Sequence, residues 1–156
     1  MSGVKPSERL AELGLSLPKV AAPVAAYVPA VQHGDLIFTS GQLPVVSGQL
    51  TVAGVVGSDV SVEDATEAAK TCALNALAAA AELAGGIDNI SRIVKVVGYV
   101  ASEPGFTGQP AVINGASNVI GEIFGEAGAH ARAAVGVAAL PLGAPVEVEL
   151  TVAVTH

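Results

Sequence analysis

At 156 residues the chain is the size of one domain and can bury about two-thirds of its unfolded surface in a single core. Seven cationic against fourteen acidic residues give a formal charge of −7, and two Tyr, three Phe and no Trp leave few rings to stack on bases, so nucleic-acid binding is disfavoured. A lone cysteine, Cys72, excludes an intrachain disulfide and fits a reducing compartment, and no ligand spacing points to a structural zinc.

Ser7 to Leu13 reads as a short amphipathic helix, with Leu10 and Leu13 three apart, followed by a link through Pro18 and Pro23. Residues 1–24 are therefore expected to form an N-terminal appendage, and residues 25–156 a single domain. Tyr27 to Val31 and Leu36 to Ser40 are β-rich runs around His33-Gly34-Asp35, which predicts a hairpin broken by Gly41. Gln42 to Val60 has no helical period and reads as a loop with at most a short edge strand. Ser61 with Glu63 and Asp64 forms an N-cap and an acidic first turn, and a helix then runs to Gly85-Gly86 with a face of Ala65, Ala69, Cys72, Ala73, Ala76 and Ala80.

Ile93 to Val100 is a near-continuous β run, as expected of a strand buried on both faces. A second helix opens at Pro110, carries an apolar stripe to Ala127 and stops at Gly128. Arg132 to Leu140 and Val146 to Thr155 read as two closing strands, and the last alternates Val146, Val148, Leu150, Val152 and Val154 against Glu147, Glu149 and Thr151. This order gives an α+β fold: a mixed β-sheet with two helices packed on one face.

Mean hydropathy is positive. However, Asn75 and Glu82 interrupt the longest apolar run, which falls short of the roughly 20 residues a membrane span needs. Glu8, Arg9 and Glu12 stand where a signal peptide would be apolar, so the expected setting is the cytoplasm, with no membrane partner.

Between Ala127 and Val146 the only formal charge is Arg132. A guanidinium there either reaches water from a strand edge or needs a partner if buried. One reading pairs it with Glu147 or Glu149, which a hairpin of the last two strands would bring near. The other keeps its planar fork for a ligand carboxylate. Glu147 and Glu149 share one face, either as the polar side of an edge strand or with one of them orienting a water as general base. Ser40 lacks triad partners and reads as a turn residue, and Cys72 as inert core. His130 reads as a loop histidine kept in view by its place two residues before Arg132. The Tyr27 hydroxyl either closes a polar pocket or reaches solvent.

The Tyr27-Val28 strand, Asp35 to Pro44 (DLIFTSGQLP), the Ile93-Val94-Lys95 opening, Ala131-Arg132-Ala133-Ala134-Val135, Leu140-Pro141 and Val146-Glu147-Val148-Glu149 together resemble the RidA/YjgF/YER057c/UK114 family over about residues 25 to 155. The resemblance implies a chorismate-mutase-like fold, a homotrimer with clefts between subunits, and hydrolysis of reactive imines and enamines of amino acids to 2-keto acids and ammonia. It also implies that Arg132 clamps a substrate carboxylate, that Glu147 positions the water, and that Tyr27, Ser40, Asn114 and Ala134 line the cleft, without metal or organic cofactor. Ala134, often Cys in the active branch, and His130, usually Pro or similar, depart from the pattern. A protein of the same fold that binds a small carboxylate without turnover is the alternative. A ribonuclease is disfavoured by the acidic charge.

Overall fold

The computed structural model describes residues 3–20 and 26–155; Pro23 and the 24/25 boundary of the expected appendage lie outside them. Helix α1 (Pro6–Glu12) buries Leu10 against the core. Its Ser7 backbone N–H and hydroxyl donate to the Asp88 carboxylate at 2.9 and 2.6 Å, and Arg9 Nε donates to the Glu122 carbonyl at 3.0 Å.

Strands β1 (Ala30–His33) and β2 (Leu36–Thr39) form the predicted hairpin, with His33 opposite Leu36 across a two-residue turn. The first strand starts at Ala30, not at Tyr27: Pro29 has no N–H for the ladder, and Tyr27 and Val28 stand exposed before it. The segment expected to be a loop holds a small hairpin of its own, β3 (Val45–Val46) and β4 (Gln49–Leu50), turning at Ser47-Gly48.

Helix α2 (Val62–Ala84) has Ser61 as N-cap, its hydroxyl accepting from the Asp64 N–H at 3.1 Å. All six residues of the predicted small-residue face are fully buried. Strand β5 (Ile90–Ala101) follows, then α3 (Gln109–Phe124) with Pro110 in its first turn. The helix stops four residues short of the expected Gly128, because Gly125 takes a φ of 60° that ends the right-handed spiral. A 3-10 turn fills Gly125–Gly128. Strands β6 (Ala131–Val137) and β7 (Val146–Val154) complete the chain.

The main sheet has the order β1-β2-β7-β5-β6, antiparallel except for the parallel pair β5–β6, and α2 and α3 cover one face. The last two strands are thus not a hairpin: β5 lies between them. The α3 crossover allows β6 to join β5 in parallel. The link at Pro141–Gly143 then carries the chain to the other edge of β5, where α2 covers the apolar row of β7. Burial along β5 alternates rather than being complete. Val96, Gly98 and Val100 face the helices, while Lys95, Val97 and Tyr99 lie on the uncovered face. Among the described residues, no helix is long and apolar enough to cross a membrane.

Candidate active site

Arg132 leaves the edge strand β6 toward the helix side, because its register partner is Val96, a core residue. The side chain is exposed, and Nη1 donates to Asn114 Oδ1 at 2.8 Å and to Ser117 Oγ at 3.3 Å. Asn114 and Ser117 stand three apart on α3 and so share the face turned to β6. Ser117 is in turn 2.8 Å from His130 Nε2, and His130 Nδ1 lies 2.6 Å from the Gly128 carbonyl. Both hydrogens of Nη1 are engaged, while Nε and Nη2 make no hydrogen bond to the described residues. The free pair is the side-on fork that matches a carboxylate. Ala134, two residues on, faces the core from the same strand.

Glu147 and Glu149 occupy the other face of the sheet, opposite Tyr99 and Val97 of β5. The Tyr99 hydroxyl donates to Glu149 Oε1 at 2.5 Å, and this bond, with burial and the charges of Glu149 and Glu147, pushes the phenol up to about 12. The Glu147 carboxylate is half-buried and has no hydrogen-bond partner among the described residues. Burial first, and the charge of Glu149 second, raise its pKa above the ordinary carboxylate value. Gly41 lies directly against this carboxylate, where any Cβ would collide with it. Beside it the Ser40 hydroxyl donates to the Val28 carbonyl at 2.6 Å and the Ser40 N–H to the Pro29 carbonyl at 2.8 Å, which ties the segment carrying Tyr27 to the end of β2.

The structure therefore sorts the sequence-predicted residues into two groups. Arg132, Asn114 and Ala134 stand at the β6–α3 edge, and Ser40 and Glu147 at the β2–β7 end, with Tyr27 tethered nearby and 56 % exposed. The anticipated ion pair of Arg132 with Glu147 or Glu149 does not form. The groups leave opposite faces of the sheet and their strands are separated by β5, a gap of about 10 Å at ordinary strand spacing. Ser117 and Tyr99 escaped the sequence reading. A serine three residues after Asn114 was the available signal for the first, and for the second a tyrosine in register with a strand glutamate could be recognised only once the pairing was known. Cys72 sits in the core with its thiol against the Val146 carbonyl, and burial holds its pKa well above the usual value. Among the described residues, no three of His, Cys, Asp and Glu gather closely enough to hold a metal ion.

Known proteins resemble this chain in sequence and fold. Residues 7–153 match the family model described as "YjgF/chorismate_mutase-like, putative endoribonuclease". The chain is similar to protein TCP17 of Trypanosoma cruzi, with 44% identity over 146 residues that cover 92% of this chain and 90% of the relative. Among solved structures it is similar to the protein Atu1372 of Agrobacterium tumefaciens, whose function is unknown, at 48% identity and a TM-score of 0.88 over 96% of this chain and 92% of that one. E. coli TdcF, solved with bound serine, is more distant, at 25% identity and a TM-score of 0.64 over 88% and 94% of the two chains. The sequence match over nearly the whole chain and the mixed sheet with two helices on one face place this chain in the YjgF/chorismate-mutase-like family.

Proposed function

We propose that the protein is a cofactor-independent hydrolytic deaminase of small reactive imines and enamines derived from amino acids, of the 2-aminoacrylate and 2-iminobutanoate type, releasing 2-keto acid and ammonia in the cytoplasm. The observation that carries this reading is the Arg132 guanidinium, held on one nitrogen by Asn114 and Ser117 with its side-on fork making no hydrogen bond to the described residues. Such a fork binds a carboxylate bidentately. The serine in E. coli TdcF, a member of the same fold, is a ligand of that chemical class.

The chemistry asks little of the protein. An imine carbon is already electrophilic, so a held carboxylate, a placed water and a group that relays protons suffice. Glu147, half-buried and with a raised pKa, suits the last role. Because one chain carries Arg132 and Glu147 on opposite faces, the working site is assigned to the boundary between copies. There the β6–α3 edge of one subunit meets the β2–β7 end of the next in a homotrimer, and Tyr27 and Ser40 line the cleft. An open sheet face that exposes Val31, Phe38 and Val135 supports such an assembly.

The test is keto-acid release from imines generated in situ by an amino-acid oxidase. Acceleration over buffer that disappears in Arg132→Ala is expected, and no acceleration at adequate protein concentration would end the deaminase reading. Retention of a 2-keto acid without turnover would instead favour the second reading, a binding protein that uses the same fork.

A further inference from the structure

We propose that Ser117 and His130 are positioning residues that act in series on Arg132, fixing the guanidinium so that its Nε–Nη2 edge, and not its end, meets the ligand carboxylate. The inference rests on the reading of Arg132 as a carboxylate clamp and adds how the clamp is aimed.

The argument starts from what each partner is able to do. The Gly128 carbonyl only accepts, so at 2.6 Å the His130 Nδ1 must carry the hydrogen. In the neutral ring Nε2 is then an acceptor, and the hydroxyl 2.8 Å away, Ser117, must be its donor. With its hydrogen directed to His130, Ser117 Oγ turns lone pairs toward Arg132 Nη1, 3.3 Å away. The second hydrogen of Nη1 goes to Asn114 at 2.8 Å. Direction thus runs without a break from the Gly128 carbonyl through His130 and Ser117 to the guanidinium. Arg92 Nη2 donates to the next carbonyl, Ala129, at 3.2 Å, which braces the loop on which His130 stands.

An exposed arginine otherwise samples many rotamers, and each must be lost when a ligand is gripped. Two acceptors on one nitrogen fix both the position and the plane of the guanidinium before the ligand arrives. They also exclude the end-on geometry, which would need Nη1.

The experiment titrates the full chain with 2-oxobutanoate by calorimetry. Ser117→Ala is expected to weaken binding about tenfold, the effect of one charge-assisted hydrogen bond, while Ser117→Thr keeps the hydroxyl and stays near wild type. His130→Ala should weaken binding by a similar factor. Because the two residues act in series, the double variant should be no weaker than Ser117→Ala alone. Nitrogen-15 spectra of the imidazole above pH 8 should show His130 in the Nδ1–H form, the minor tautomer of a free ring. Equal affinity of wild type and Ser117→Ala, additive losses in the double variant, or an Nε2–H ring would each overturn the proposal. Wild type that binds no 2-oxobutanoate would instead strike the clamp reading itself, a different result from binding that ignores Ser117.

Discussion

At the β6 edge the Arg132 guanidinium is exposed and has two protein acceptors on one nitrogen, whereas on the opposite face the Glu147 carboxylate is half-buried and has no partner among the described residues. The two charges are prepared by different means. The cation keeps its hydration and gains direction from hydrogen bonds, so its geometry is set. The anion loses part of its hydration and stands beside Glu149, so its proton affinity is set while its geometry is left open to a ligand or water. An anchoring group needs the first treatment and a proton-relaying group the second.

Removing either group should break this contrast in a characteristic way. Arg132→Ala is expected to weaken 2-keto-acid binding by more than 100-fold and to abolish turnover, the usual scale for a lost bidentate charge contact. Its thermal stability should barely change, because the side chain is exposed; a large fall in Tm would show that the guanidinium holds the fold instead. Glu147→Gln should leave carboxylate affinity within a few-fold of wild type while turnover falls by 10²–10⁴, the range for a lost general base. The sign of its stability effect is also fixed. A folded-state pKa above the ordinary 4.5 means that ionisation is disfavoured in the fold, so wild type loses stability as pH rises through that interval. Glu147→Gln escapes this loss and should melt higher at pH 7.5 but no higher at pH 4. Gly41→Ala should reduce turnover about tenfold or more by displacing the Glu147 carboxylate, while ligand affinity at Arg132 in the same chain is preserved.

How much of this was legible in the sequence depends on the range of the interaction. Local chemistry was readable: the Ser61 cap, the alanine face of α2, the alternation of β7 and the isolation of Arg132 all follow from neighbours in the chain. What failed was non-local. The insertion of β7 between β2 and β5 depends on which strand gains the cover of α2, and no period records that choice. The supposed Arg132–Glu147 ion pair fell with the supposed hairpin, since pairing across β5 puts the two side chains on opposite faces. The end of α3 was misplaced because the apolar stripe continues to Ala127 while Gly125 has already left helical φ. Tyr99 looked like one more residue of an apolar strand until its register with Glu147 placed its hydroxyl within reach of Glu149.

Tyr99→Phe sharpens the contrast with the smallest change, one oxygen. The phenol donates to Glu149 at 2.5 Å and so fixes the carboxylate whose charge, after burial, helps to raise the pKa of Glu147. Without the hydroxyl, the Glu149 carboxylate is free to turn away, its charge weighs less on Glu147, and the acid limb of the turnover profile should move to lower pH. The lost hydrogen bond to a charged acceptor should also cost about 1–2 kcal/mol of stability at neutral pH. At high pH the difference shrinks. A phenol raised from 10.0 to about 12 resists ionisation in the fold, so wild type loses stability as pH climbs through that window and Tyr99→Phe does not. The chain has two tyrosines, so the difference between wild-type and variant absorbance titrations at 295 nm isolates the Tyr99 step, expected near 12. An acid limb that stays in place while stability falls would make Tyr99 a purely structural contact and leave the raised pKa of Glu147 to burial alone.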